Sequence, residues 1–424
     1  MNAGLIVFLL LVVLSFLGVP IFLAIAIATM VALTSAGFPM ETIVQKTFLG
    51  LNSSSLLAIP LFIFAGNAMS YGITQRLLNV ADAFLGRVRG SLGAVTIVAS
   101  GLFGAISGSG VATVSAIGGM TIPAMIDSGY DKNYAAACAS SASLLGPLVP
   151  PSITLIVYAS LTEVSVQKLF LATALPAIVL LVAFLAYALY YGKKHDLPTQ
   201  PKKSGKEIAS TLKESLLALL MPVIVLGSIF SGICTVTEAA AISAIYAVLV
   251  NMVAYREMNW KVLKDVLYES AISVASIMIM VGMSKASAYV VIASQLPQLF
   301  MNFVTSITSN VVVVLIIINI ILLILGCMMD GTAIVVMMVP LMLSLVTAMN
   351  INLIHFGIVV ALNIYIGMIT PPVGITLLVG TKIAKTGVGS VFRSCLPFMM
   401  ISLILLLIVT YVPSFSLLLP NLLG

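Results

Sequence analysis

Apolar residues along this chain come in runs long enough to cross a bilayer, with polar and charged positions confined to short breaks. The first apolar stretch covers 5–17 and 20–34, parted by Gly18-Val19-Pro20 as a turn or kink, and another span runs from about 54 to 72. Runs of this kind predict membrane helices, because about 20 apolar residues at 1.5 Å rise cover the hydrocarbon. Two longer runs are broken near their middles. Residues 93–127 are interrupted by Ser107-Gly108-Ser109-Gly110, and residues 310–349 by Asp330-Gly331. Two further runs carry twin prolines, in Gly146-Pro147-Leu148-Val149-Pro150-Pro151-Ser152 and Gly367-Met368-Ile369-Thr370-Pro371-Pro372-Val373. Proline removes a backbone donor and clashes with the preceding turn, so each pair predicts an unwound segment at membrane depth. Backbone left unpaired there must be buried in protein or line a polar cavity.

The basic residues order these runs. With the N-terminus outside, residues 37–46 form an outer connection and Arg76, Arg87 and Arg89 fall inside, on an interfacial amphipathic segment. Lys193, Lys194, Lys202, Lys203, Lys206 and Lys213, then Arg256, Lys261 and Lys264, then Lys382, Lys385 and Arg393 also fall inside, provided 93–127 and 310–349 each enter and leave by one face. Both are therefore predicted to be re-entrant helical hairpins, the first entering from inside and the second from outside. Both termini lie outside in this scheme.

A shift of 221 residues sets Ser109 on Asp330, Gly110 on Gly331, Ala112 on Ala333, Gly146 on Gly367, Pro150 on Pro371 and Pro151 on Pro372. A shift of 216 sets Gly66 on Gly282 and brings 37–46 beside 255–264. The predicted fold is an all-α polytopic membrane protein built as an inverted-topology repeat, with two re-entrant hairpins and two broken helices. The repeats cover 1–192 and 215–424, joined by a polar, lysine-rich inside linker over 193–214.

Composition agrees with this reading. Of 424 residues 61% are hydrophobic and 8% charged, and the mean hydropathy of +1.22 is more than a soluble domain could hide. The first run lacks a basic leader and is expected to span rather than be cleaved. Cys138, Cys234, Cys327 and Cys395 show no metal spacing and suit packing, as do the many methionines. The net charge of +6 sits in short loops, which points to membrane orientation and not to nucleic acid. His195 and His355 are expected at solvated or interfacial places, and Glu238 and Lys285 near span ends as snorkelling or paired groups.

The irregular elements carry the candidate chemistry. The breaks expose carbonyls such as those of Gly146, Val149, Gly367 and Thr370. Ser107 and Ser109 add hydroxyls at one tip, and Asp330 and Thr332 add a carboxylate and a hydroxyl at the other. Hard oxygen donors without His or Cys suit a small cation such as Na+. Half-helix N-termini at the same breaks favour an anion. The pattern predicts two cation sites flanking one anion site, with substrate between the tips near Ser109, Gly110, Gly331, Pro150 and Pro371. Close helix packing is the plainer reading of the Gly and Ser residues at 107–110, whereas a carboxylate at the depth of Asp330 argues for function. A channel and an intramembrane hydrolase built on Gly104-Ala105-Ile106-Ser107-Gly108 are the other classes; no base is placed near Ser107 for hydrolysis.

At these residues the chain resembles the large membrane (M, DctM-like) subunit of tripartite ATP-independent periplasmic (TRAP) transporters. The Ser-Gly-Ser-Gly and Met-Asp-Gly-Thr tips and both Pro-Pro breaks carry the resemblance, which extends over essentially the whole chain. It implies an elevator-type ion-transporter architecture in a bacterial inner membrane. A scaffold (about 1–72 and 215–285) would stay fixed, flanked by arm helices (73–92 and 286–308), while a transport domain (93–192 and 309–424) moves. It also implies a small membrane subunit and a periplasmic binding protein that delivers an organic anion, the closest branch being that for sialic acid, then C4-dicarboxylates. With no further four-helix segment before Met1, the unfused kind is expected. The resemblance places one sodium at Ser107, Ser109, Gly146, Val149 and Pro151, and a second at Asp330, Thr332, Gly367, Met368 and Thr370. The Ser-Asn-Thr triplet of the broader divalent-anion/sodium symporters is absent, which makes a single-component symporter the runner-up.

Overall fold

The computed structural model describes residues 2–199 and 203–423; Met1 and Lys202, used above, lie outside them. Every regular element among the described residues is helical. Among the described residues seven helices are long and apolar enough to cross a membrane, or up to nine if each of two bent pairs is one span.

The 221-residue shift recurs in three dimensions. It carries the first residues of Ser91–Ser107, Gly110–Asp127, Lys132–Leu148, Ile153–Thr162 and Val166–Lys194 to within one residue of the starts of Val311–Gly326, Gly331–Ala348, Leu353–Gly367, Ile375–Ala384 and Val388–Tyr411. Two helical hairpins and two interrupted helices result, as the punctuation predicted. The peptide bonds Pro150-Pro151 and Pro371-Pro372 are both cis.

The opening thirds of the repeats match less well. Residues 37–46, expected as a connection, include the start of a helix, Glu41–Leu51, bent by 69° from Ser54–Ser70. Its counterpart in the second repeat is the continuous 34-residue helix Trp260–Ala293. The Glu41–Leu51 arm of the first copy packs closely on that long helix. A Cβ on Gly50 would stand 2.5 Å from Lys285 Cγ, and one on Gly282 would stand 2.9 Å from Thr47 Cγ2. The amphipathic helix expected after the span at 54–72 is Ile73–Leu85, which buries Ile73, Leu77, Leu78 and Ala81 and leaves Gln75 and Arg76 on its polar side.

Polar contacts sort the loops into two ends. At one end Arg76 pairs with Glu257 at 2.6 Å and lies over the Tyr255 ring, Lys203 pairs with Asp82 at 2.7 Å, Arg89 pairs with Asp196, and Thr386 donates to Asn133 at 2.7 Å. This is where the basic clusters gather. At the other end Asn2 bonds the carbonyl of Ser294, Thr237 that of Ser54, and Tyr158 that of Leu353.

The expectation for His355 changes, while Glu238 lies exposed at the start of a span as expected. His355 is 2% exposed, because the C-terminal helix Pro413–Leu423 folds over it and places Ser416 Oγ 2.8 Å from Nδ1. Glu238 completes a capping box, accepting the Thr235 amide at 2.8 Å, so its role is to hold a helix start. All four cysteines are free, with Cys138 and Cys395 buried.

Candidate functional site

The first hairpin turns at Gly108, whose left-handed φ of +61° suits a residue without Cβ. Space demands the same, since a Cβ there would sit 2.4 Å from the Pro151 carbonyl oxygen. Ser109 is extended and caps the returning helix, its Oγ accepting the Ala112 amide at 3.3 Å. One turn on, Thr113 Oγ1 donates to the Ser109 carbonyl at 2.7 Å and lies 3.4 Å from Ser107 Oγ. Gly146 presses onto this cluster: a Cβ on it would meet Thr113 Oγ1 at 2.5 Å and Ser109 O at 2.8 Å. Oxygens of Ser107, Ser109, Thr113 and Pro151 are thereby drawn together at the junction of tip and break. Val149 continues the break in extended backbone, its amide still bonded to Leu145.

At the second tip Asp330 holds the position of Ser109. Its Oδ1 accepts the Thr332 amide at 2.9 Å and caps Gly331–Ala348. The carboxylate is only partly buried, so its place in the fold is explained by capping as well as by any ligand. Gly367 is in backbone contact with Gly326, where an added Cβ would fall 2.3 Å from a carbonyl carbon. The second break refolds into a bonded turn. Cys327 O accepts the amides of Val373 and Gly374 at 3.1 Å, Met368 O accepts the Thr376 amide at 3.1 Å and its hydroxyl at 2.9 Å, and Thr370 Oγ1 donates to Ile366 O. The carbonyls of Gly367 and Met368 thus already serve internal bonds, which the first break does less.

Each cluster is drawn from one repeat, but the two repeats touch beside them. Gly110, opening the first returning helix, lies against Met368 and Thr376 of the second break, while Gly331, opening the other, lies against Ile364 and Thr154. Ser152 Oγ and Tyr365 Oη are 3.0 Å apart across the same boundary, and Thr154 and Asp330 flank that hydroxyl. The structure adds Thr113, Ser152, Tyr365 and Thr376 to the site residues expected from the sequence. Thr113 was within reach, one helical turn after Ser109, and Ser152 follows the proline pair directly. Tyr365 and Thr376 join only through the crossing of repeats.

Two cavities flank this assembly. One of about 600 Å³ opens beside the first tip, lined by Gly66, Asn67, Ser107, Ser109, Ser115 and Ser273. Gly66 brings its helix close to the tip, since a Cβ there would be 3.1 Å from Ser107 Cα. The other, of about 870 Å³, lies toward the end opposite the basic clusters, with Lys46, Asn52, Ser160 and Lys285 in its wall. Of the residues expected near substrate, Ser109 lines the first cavity, Gly110, Gly331 and Pro150 are buried, and Pro371 is half-buried.

Residues 8–415 match the DctM component of the tripartite ATP-independent periplasmic transporters. The chain belongs to this family. Among curated relatives, the C4-dicarboxylate TRAP transporter large permease protein DctM of Pseudomonas aeruginosa is 37% identical, with 87% of each chain covered. The sialic acid TRAP transporter large permease protein SiaM of Vibrio cholerae is 35% identical over 96% of both chains. The ectoine/5-hydroxyectoine TRAP transporter large permease protein UehC of Ruegeria pomeroyi is 32% identical over 98% of both. Such similar identities to proteins named for different substrates mean that overall likeness does not select a substrate for this TRAP permease. Solved structures of the Alcanivorax borkumensis YdaH transporter and Neisseria gonorrhoeae MtrF share the fold, with TM-scores of 0.61 and 0.58 at 17% and 13% identity. They cover 90% and 91% of this chain, and the matches take in 87% and 85% of those chains. The protein is thus a multi-pass membrane permease of a tripartite secondary transporter, not an enzyme.

Proposed function

We propose that this TRAP permease carries out sodium-coupled uptake of a small organic anion, a carboxylate such as sialic acid or a C4-dicarboxylate, across the bacterial inner membrane. The observation that carries the reading is the convergence of Ser107, Ser109, Thr113 and Pro151 oxygens where the first tip meets the first break. Neutral hard oxygens in a region without His or Cys ligands fit sodium. Asp330 and Thr332, with the backbone of Gly367, Met368 and Thr370, offer a second, charged place at the other tip. Two sodium ions moving with a monoanion carry net positive charge, worth roughly 2.3 kcal/mol per charge per 100 mV of membrane potential.

The interlocked tips and breaks favour movement of 93–192 and 309–424 as one body in an elevator step against 1–72 and 215–285, with 73–92 and 286–308 as arms. The basic end is the cytoplasmic one by the positive-inside rule, which leaves both termini periplasmic. A small membrane subunit and an anion-loaded periplasmic binding protein complete the system.

Reconstitution into liposomes with both partners tests this. Uptake of sialic acid or succinate should require an inward sodium gradient. Sodium-independent uptake would overturn the coupling, and uptake by this chain alone would favour a single-component symporter.

A further inference from the structure

Lys285 lies deep in the long helix Trp260–Ala293 yet faces a cavity of about 870 Å³. Its stem fits against Gly50, where any Cβ would fall 2.5 Å from Lys285 Cγ, so the glycine makes room for the lysine. Its Nζ donates at 2.7 Å to the carbonyl of Ser160, near the end of Ile153–Thr162. Three ion pairs form among the described residues, and Lys285 is in none of them. A partly buried ammonium hydrogen-bonded to one neutral carbonyl, with the Glu163 carboxylate near enough to act on its charge, has two N–H donors beyond that bond. Lys46 shares the wall, its Nζ 4.5 Å over the Tyr289 ring, and Asn52, Ser54 and Gln298 add neutral polar groups. Glu163 is the one carboxylate in the lining, so two ammonium groups face a single acid. None of these residues belongs to the tips or the Pro-Pro breaks.

We propose that this cavity is a separate carboxylate-binding station, in which the free N–H donors of Lys285 take the anion before it reaches the hairpin tips. Lys285 bridges the long helix and the Ile153–Thr162 helix through Ser160, so an anion held here also sits on the boundary between the two bodies. The proposal rests on the anion-uptake reading for its ligand but not for its charge, and the test separates the two.

In full-length protein with Cys234 and Cys327 changed to Ser, Ser54→Cys places a thiol in the cavity wall. Its reaction rates with an anionic sulfonatoethyl and a cationic trimethylammonioethyl methanethiosulfonate are compared. Lys285→Gln should lower the anionic-to-cationic rate ratio at least about threefold, and Lys285→Arg should restore it, because a fixed charge at the wall sets the local anion concentration. An unchanged ratio overturns the station. In the reconstituted tripartite system Lys285→Gln should raise the KM for anion uptake about tenfold, equivalent to a charged hydrogen bond. Its half-saturating sodium concentration should stay where it was. A lowered rate ratio with an unmoved KM shows a positive wall that the anion does not use and also overturns the proposal. Failure of the wild-type system to take up any anion, with the ratio still set by Lys285, would instead fault the uptake reading.

Discussion

Ser152 and Tyr365 come from opposite repeats, and their hydroxyls meet at 3.0 Å inside the bundle. Both side chains are essentially inaccessible, at 0% and 1% exposure, so neither hydroxyl has water as an alternative. Tyr365→Phe and Ser152→Ala should each cost about 0.5–2 kcal/mol, the range for hydrogen bonds in membrane bundles and protein cores. Because they remove one shared contact, the double variant should lose less than the sum. Thermal unfolding in detergent of the four proteins checks this, and strict additivity would deny the coupling.

Asp330 both caps a helix and supplies charge, and the two roles can be separated. Asn is as good an N-cap as Asp, so Asp330→Asn should leave the stability, read by thermal unfolding, within about 0.5 kcal/mol of wild type, as expected of a neutral change. Its sodium activation curve should nonetheless shift to higher concentration, since a formal charge at the tip is gone. Activation identical to wild type would remove Asp330 from the sodium site.

At the first tip the ligands are neutral, so single losses should be graded. Thr113→Val keeps the shape but deletes the hydroxyl that meets both Ser107 and Ser109. It should raise the half-saturating sodium concentration by about tenfold, the loss of one good oxygen contact. The pair Ser107→Ala with Ser109→Ala should do at least as much. A sodium titration of uptake unmoved by both changes would place the ion elsewhere.

Glycine substitutions should divide sharply. Gly367→Ala sets a methyl 2.3 Å from Gly326 backbone, and Gly146→Ala sets one 2.8 Å from the Ser109 carbonyl. Backbone cannot step aside as a flexible side chain can, so both should fall in the severe class of about 3 kcal/mol or more. Gly119→Ala and Gly227→Ala have nothing within 4 Å of the new Cβ. Yield of monodisperse protein after purification should be poor for the first pair and normal for the second.

Much of the fold could be read from punctuation. Helix breaks at Ser107–Gly110, Asp330–Gly331 and the two proline pairs are fixed by local chemistry, and a common spacing tied them into repeats. The bend between Leu51 and Ser54 could not be read in this way. It goes with the packing of Gly50 on Lys285 and of Gly282 on Thr47, two stretches far apart in the chain, and the matching stretch of the second repeat runs straight. The candidate site was half legible for the same reason. Ser109 and Asp330 announce themselves as caps beside glycine, whereas Tyr365 and Thr376 look like ordinary residues of apolar helices until the other repeat is laid across them. The burial of His355 likewise depends on a helix 61 residues further along the chain.

The crossing of tips and breaks bears on how such a chain could have arisen. Gly110 rests on Met368 and Thr376, and Gly331 on Ile364 of its own repeat and on Thr154 of the other, so half of this protein on its own would hold a tip and a break with one flank of the tip uncovered. A half-length ancestor could have covered that flank only by pairing with a copy of itself inserted upside down in the same bilayer. Such a precursor needs loops so evenly charged that the membrane accepts either orientation. The gathering of Arg76, Arg89, Lys203 and their partners at one end then marks what gene fusion allowed: once each half was tethered in its own direction, the loops were free to become lopsided.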